Sequence, residues 1–300
     1  MKIFYHNDMD GIVSAKIILD IMEIRTNISE KDFFAMDYTT EFPLDMIEEG
    51  EEVFIVDYSI PVETMKQLQQ LSKRVIWIDH HKSAIEQYKD YDKNILGLRV
   101  DGIAGCILTW WYFYGRQVET ENFLKDYPKN INSFYRKEIP EFVRLAGDWD
   151  VWEHLYGQKT KEFAICFSTK IHTPFDEQLN MLNDERNLEW FLQTGKDMIN
   201  FRDSWANIFM NRYGFETKIN NYSAFLANLG NANSEFFGER IQDYDIIGSF
   251  CFDGENWTCS LYSNKAYIDC ANICKQYGGG GHKGAAGFVC KELPFKKEEN

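Results

Sequence analysis

Positive charge is in short supply in this sequence: 32 Lys plus Arg stand against 47 Asp plus Glu, a formal net charge of −15 at pH 7. So acidic a chain offers no long basic groove to a duplex or an extended single strand, whose phosphates call for a run of cations. Small anions are not excluded, because a bound cation or a few lysines reverse the field inside one cleft. No apolar run approaches the roughly 20 residues of a membrane helix. The opening "MKIFYHNDMDG" runs straight into His and Asp and does not read as a signal peptide. CxxC pairs are missing too, and the seven cysteines (Cys106, Cys166, Cys251, Cys259, Cys270, Cys274, Cys290) are odd in number. A reduced, cytoplasmic setting is expected, with most thiols as small core residues. Histidine is scarce at six, yet two of them stand side by side in "RVIWIDHHKSA".

What is present is core-forming material. The 300 residues are 44% hydrophobic and 16% aromatic, enough for two folded domains. Apolar runs alternate with helical patterns through residues 1–100. "KIFY" (2–5), "DFFAMD" (32–37), "EVFIVD" (52–57) and "RVIWID" (74–79) read as strands. "GIVSAKIILDIMEI" reads as a helix, and so does "PVETMKQLQQLS", with Pro61 at its start. The alternation predicts an α/β fold with a parallel, doubly wound sheet. "GIAGCILTWWYFYG" (102–115) reads as a buried helix. Residues 178–214 read as a connecting helix with a break near Gly195. Beyond it, "YSAFLAN", "YDIIGSFCF" and "WTCSLYS" read as strands, with helices near 234–241 and 266–277. The expected division is a domain at 1–177, the helical linker at 178–214, and a smaller α/β domain with a mixed sheet at 215–300. His154 and His172 read as surface residues, and Cys270 and Cys274 as packing.

Three predicted strands end in an acid: Asp37, Asp57 and Asp79. The first strand leads into "HNDMDG", where His6, Asp8 and Asp10 alternate. Groups just beyond the carboxyl ends of parallel strands converge on one crevice, so His6, Asp8, Asp10, Asp57, Asp79, His80 and His81 are expected to face one another. "RLAGDWDVW" adds Asp148 and Asp150. A single strand-end Asp is usually a helix cap or a solvated acid, and Asp37 reads that way. The conjunction of four such segments needs another reason. Crowded carboxylates raise one another's pKa unless a cation neutralises them. Mixed carboxylate and imidazole donors suit Mn²⁺, Fe²⁺ or Zn²⁺. Two ions about 3.5–4 Å apart would use the whole set and activate water for attack on phosphorus.

These segments resemble the DHH phosphoesterase superfamily. "HNDMDGIVSA", "FIVDYS", "WIDHHKSA" and "AGDWDVW" are similar to its four motifs. "GGGGHKGAAGF" (278–288) is similar to the signature of the DHH-associated C-terminal domain. The style of the first motif is similar to the nano-RNase (oligoribonuclease) branch. The resemblance implies two divalent ions, most simply Mn²⁺, with His6 and Asp8 on one and Asp10, His80 and Asp148 on the other. Asp57 would bridge them, and "GDWD" leaves Asp150 as the other choice to Asp148. Asp79 would bind metal or support the ligands, and His81 would contact the scissile phosphate or act as general acid. Gly279, Gly280, Gly281, His282 and Lys283 would bind substrate, their backbone N–H groups free to approach an anion. Tyr262 stands where relatives carry an arginine and would stack on a base beside Ser263.

The function implied is a metal-dependent phosphodiesterase, an exonuclease-like enzyme that cleaves short oligonucleotides or dinucleotides to mononucleotides. The alternatives are a 3′-phosphoadenosine 5′-phosphate phosphatase and a non-catalytic scaffold. The partner expected is a short nucleic acid or nucleotide, with no long duplex and no membrane, and a homodimer is compatible with this reading.

Overall fold

The computed structural model describes the chain except residues 24–25, 92–94, 116–137, 171–172, 174, 176, 178–181, 183–184, 231 and 298–300. His172 and part of the segment 178–184 therefore lie outside the described residues. Two compact units are present, Met1–Met198 and Ile199–Asn300.

In the first unit, β1 (Lys2–His6), β2 (Phe33–Met36), β3 (Glu52–Val56) and β4 (Arg74–Ile78) form one sheet in the order β2-β1-β3-β4. Every pairing is parallel, which confirms the predicted α/β class. The strands are apolar at nearly every position because both faces are covered, as parallel sheets require. Ile3, Tyr5, Phe54, Val56, Ile76 and Ile78 point into one core, and Phe4, Val53, Ile55, Val75 and Trp77 into the other. The first core is closed by helices α1 (Met9–Met22), α4 (Gly105–Tyr114), α5 (Glu141–Asp150) and α6 (Gln158–Ser168). The second is closed by α2 (Val62–Leu71), through Met65 and Leu68, and by Ala84 of α3 (Lys82–Gln87).

Helix α7 runs without a break over Glu185–Tyr213. The interruption expected near Gly195 is absent for a packing reason. A Cβ on Gly195 would stand 1.8 Å from the Glu162 carbonyl oxygen of α6, so this glycine permits a close helix crossing rather than ending a helix. Of the aromatic run of α4, Trp111 is core at 2% exposed, Trp110, Tyr112 and Phe113 pack half-buried against it, and Tyr114 is exposed.

The second unit holds a six-stranded mixed sheet, β5 (Gly214–Ile219), β6 (Tyr222–Asn228), β7 (Ile246–Phe252), β8 (Trp257–Tyr262), β9 (Gly280–Gly281) and β10 (Ala285–Cys290), in the order β5-β6-β7-β8-β10-β9. Only β6 and β7 pair in parallel; the other pairs are antiparallel. The helix expected at 234–241 is a 3₁₀ turn, Ser234–Phe237, and a short α8, Arg240–Asp243. Gly238, at φ +54°, separates them. The helix expected at 266–277 is shorter, α9 (Cys270–Lys275), because Asp269 caps it by accepting from Asn272 N–H. Cys270 and Cys274 are fully buried in the core.

Candidate metal centre

The site starts from three adjacent strand ends. β1 ends at His6, β3 delivers Asp57, and β4 delivers Asp79, His80 and His81. Asp57 lies at φ +51°, a left-handed conformation that costs a non-glycine residue of order 1–3 kcal/mol. Its N–H donates to the Ile78 carbonyl at 2.9 Å, so the neighbouring strand holds the bend. The carboxylate this presents is 1% exposed, and among the described residues neither oxygen receives a hydrogen bond.

Around Asp57 the other groups gather. His6 Nδ1 stands 3.7 Å from Asp57 Oδ2 and 2.7 Å from Asp8 Oδ2. His80 Nε2 stands 3.2 Å from Asp57 Oδ1, 3.3 Å from Asp150 Oδ2 and 3.7 Å from Asp10 Oδ2. Three overlapping sets of donor atoms each fit within 4.8 Å: His6, Asp8 and Asp57; Asp10, His80 and Asp150; and Asp57, His80 and His81.

The start of α1 is folded tightly back onto β1. Asp8 is its N-cap and accepts from Gly11 N–H at 2.9 Å. A Cβ on Gly11 would lie 2.0 Å from the His6 carbonyl oxygen, so only glycine lets Asp8 and Asp10 return beside His6. Asp10 is 1% exposed and accepts from Gly105 N–H at 2.6 Å and Cys106 N–H at 2.7 Å. These are the first N–H groups of α4, which favour an anion at that end. Gly105 is a residue the sequence reading passes over. A Cβ there would stand 2.8 Å from Asp57 Cβ and 3.0 Å from Asp10 Oδ2. The available signal was "GIAG", small residues at the mouth of an apolar helix.

Negative charge in this cluster is only partly compensated. Burial, and then the neighbouring carboxylates, push the Asp10 and Asp57 carboxyls well above the usual range, and burial raises Asp150. Burial alone would lower His6, but the facing carboxylates of Asp57 and Asp8 overcome it and raise the imidazole to about 10. Buried like charges without partners are expensive. Carboxylate and imidazole donors with unspent lone pairs fit one or two divalent cations, which would neutralise them.

Asp148 does not join the cluster. It is 0% exposed, and its oxygens accept from Leu155 N–H at 2.7 Å, Tyr156 N–H at 3.2 Å and the Thr160 hydroxyl. With both oxygens already occupied, it organises the loop after α5. The "GDWD" position facing His80 is Asp150, whose buried Oδ2 has no hydrogen-bond partner among the described residues. Two residues apart on a helix, the acids point in different directions.

Asp79 acts on its neighbours. Its Oδ1 accepts from His80 N–H at 2.7 Å and His81 N–H at 3.2 Å, and lies 2.6 Å from His81 Nδ1. That contact places the Nδ1 proton toward Asp79 and leaves His81 Nε2 as the atom able to exchange a proton. Asp37 is exposed and accepts from Thr39 N–H at 2.7 Å in its own turn, the solvated role expected of it.

The glycine-rich segment forms a hairpin in the second unit. Gly278, at φ +79°, ends α9, and its neighbour Gly279 N–H donates to the Cys274 carbonyl at 3.0 Å. A Cβ on Gly279 would lie 2.1 Å from the Gly287 carbonyl oxygen, and one on Gly281 2.7 Å from Ala286 Cα. Close packing thus accounts for Gly279 and Gly281 and a left-handed turn for Gly278, while Gly280 has open space and an ordinary φ. His282 and Lys283 are exposed at the tip. Tyr262 spends its hydroxyl on the Ala232 carbonyl at 2.8 Å, and Ser263 its hydroxyl on the Asp245 carbonyl at 2.7 Å. Both side chains therefore have structural duties that the sequence did not reveal.

Among the described residues no helix is long and apolar enough to cross a membrane. Residues 1–99 match the DHH family, N-terminal domain. The chain is similar to an uncharacterized protein, R106, of Acanthamoeba polyphaga mimivirus, 25% identical over 99% of this chain and 70% of that protein. It is also similar to the oligoribonuclease NrnB of Bacillus subtilis strain 168, 23% identical over 95% of this chain and 71% of that protein. Among solved structures, a pGpG-specific phosphodiesterase from Vibrio cholerae shares the fold, with a TM-score of 0.58, 12% identity, and coverage of 97% of this chain and 93% of that one. Residues 1–99 are thus similar to the DHH family, N-terminal domain, and their acids and imidazoles gather at the ends of a parallel sheet.

Proposed function

We propose that the chain is a metal-dependent phosphodiesterase that hydrolyses short oligonucleotides or dinucleotides to mononucleotides. One observation carries this reading above the others. Asp57 is a fully buried carboxylate with no hydrogen bond to either oxygen among the described residues, shared between His6 and Asp8 on the one hand and His80 on the other. A carboxylate so placed is suited to bridge two cations.

His6, Asp8 and Asp57 would hold one ion, and Asp10, His80, Asp150 and Asp57 the second; manganese suits this donor set. When bound, the ions would activate a water and withdraw charge from the phosphoryl oxygens. The remaining steps fall to the chain itself. Asp79 fixes the His81 ring, and His81 Nε2 gives a proton to the leaving oxygen or donates to a phosphate oxygen. His81 is one-third exposed, its side chain at 32%, so it can meet a substrate arriving from solvent. In the second unit, His282, Lys283 and the open backbone at Gly280 would receive an anion. The acidic composition favours short substrates, and the similarity to an oligoribonuclease supports the same class. A cytoplasmic setting and the domain limits 1–177, 178–214 and 215–300 belong to the same proposal.

The test is one substrate panel with Mn²⁺: pApA, a five-nucleotide RNA, a long single strand, 3′-phosphoadenosine 5′-phosphate, cyclic dinucleotides and pyrophosphate. The expected order puts pApA first. Preferential turnover of the long strand would overturn the substrate reading, and no hydrolysis of any phosphoester, with no Mn²⁺ bound, would overturn the enzyme.

A further inference from the structure

The turn after α5 carries a feature that the cation cluster does not need. A cavity of about 220 Å³ is lined by Asp8, Asp10 and Asp150 together with Trp149, Trp152 and Ser168. Trp152 is 51% exposed, which leaves a large apolar ring in water. Its ring centre lies 4.6 Å from that of Trp149 at a 58° tilt, so the two indoles make adjoining walls instead of a closed stack. His154 stands edge-on to both, 4.6 Å from Trp152 and 5.7 Å from Trp149.

The backbone here is forced. Trp152 and His154 both adopt positive φ, +58° and +53°, a region that residues with side chains avoid. Asp148 imposes it: its carboxylate takes the Leu155 and Tyr156 N–H groups and its carbonyl takes Glu153 N–H at 3.2 Å. A buried acid is thus committed to a turn whose outcome is an exposed indole beside three carboxylates. Folding alone gives no reason to place it there, since burying the ring elsewhere would be favourable.

We propose that Trp149 and Trp152 form an aromatic subsite for a nucleobase of the substrate, on a nucleotide that flanks the scissile phosphate. This rests on the phosphodiesterase reading above. The size fits one flat ring system, since the cavity is smaller than the roughly 300–1,000 Å³ of sites that enclose whole drug-sized ligands. The position fits as well. Asp8, Asp10 and Asp150 are among the residues that would hold the cations and so receive the phosphate, and a neutral base joined to that phosphate can lie against the indoles beside them. Stacking is tolerant of base identity because every base has a π-face, so the subsite would select nucleotides over other phosphoesters without choosing among bases.

Trp152→Ala and Trp152→Phe are compared with the wild type on pApA and on its two analogues that each lack one base, with Mn²⁺ present. On pApA, KM in Trp152→Ala should rise roughly 10- to 100-fold, with kcat changed by less than about threefold, and Phe should restore most of it. On one of the two abasic analogues the alanine variant and the wild type should agree. The same loss on both analogues as on pApA, or no loss on pApA, overturns the subsite. Failure of the wild type to cleave pApA would remove the phosphodiesterase reading instead. The subsite is then read by titrating AMP against ribose 5-phosphate with Mn²⁺ present. A wild-type preference for AMP that Trp152→Ala abolishes upholds it, and no preference, or one that survives in the variant, overturns it.

Discussion

Replacing Gly105 by alanine adds a single methyl group at the point where Asp10 and Asp57 approach α4. That Cβ would stand 2.8 Å from Asp57 Cβ and 3.0 Å from Asp10 Oδ2, where ordinary contact begins at 3.4 Å. One or both carboxylates must retreat by about 0.4–0.6 Å, two to three times the ~0.2 Å tolerance of a metal–ligand distance. Asp10 would also lose its alignment with Gly105 N–H, and such supporting contacts are worth about 10- to 100-fold in metal affinity. At a Mn²⁺ concentration 100 times the wild-type Kd, the wild type gains about 2.7 kcal/mol of stability. A variant weakened about 30-fold gains only ~0.9 kcal/mol at the same concentration. For a unit of this size the difference is about 4–7 °C in Tm. Thermal melts with and without Mn²⁺ read the increment within each protein, so any packing strain in the metal-free variant cancels. An increment in Gly105→Ala equal to that of the wild type would mean that Asp10 and Asp57 do not hold the ion.

The two acids of "GDWD" should separate cleanly. Asp148→Ala strands three donors in the loop after α5 and should cost about 3–5 kcal/mol in urea unfolding, while Asp150→Asn should cost under about 1 kcal/mol yet lower Mn²⁺ affinity at least about 10-fold; the reverse pattern would reinstate Asp148 as the ligand. A pH effect is expected far from the cluster, at Glu51. Burial would raise its carboxyl, but the Lys2 ammonium at 2.7 Å and the Glu48 N–H at 2.9 Å hold it down at about 2, from 4.5. A depressed acid stabilises the fold above its unfolded value and loses that contribution as pH falls from 4.5 to 2. Both side chains are partly solvated, so Glu51→Gln should cost about 1–2 kcal/mol at pH 7. Its deficit should shrink as pH drops through that window, and a deficit that stays constant in urea melts from pH 7 to pH 2.5 would refute the assignment.

The strand ends were legible because parallel strands buried on both faces read as unbroken apolar runs, and a polar residue marks where each run leaves the sheet. His6, Asp57 and His80 came together on that logic alone. Asp148 and Asp150 were not separable in the same way. Helix periodicity places them in different directions, but which direction faces the sheet ends depends on how α5 packs. Gly105 was hidden by distance, since it meets Asp10 across 95 positions of sequence. In the second unit, β10 reads "AAGFVC", small residues whose strand character comes from pairing with β8 rather than from propensity. The glycine run was overread: Gly278, Gly279 and Gly281 answer to chain geometry before any ligand is considered.

The order β2-β1-β3-β4 gives the centre a built-in gauge. β1, β3 and β4 are hydrogen-bonded neighbours, so His6, Asp57 and Asp79 are set off from one another in steps of the interstrand spacing, about 4.8 Å. That interval is written in main-chain bonds, not in rotamers, and it exists before any cation arrives. Exchanging one divalent ion for another would then alter how many waters complete its coordination, while the frame keeps its dimensions.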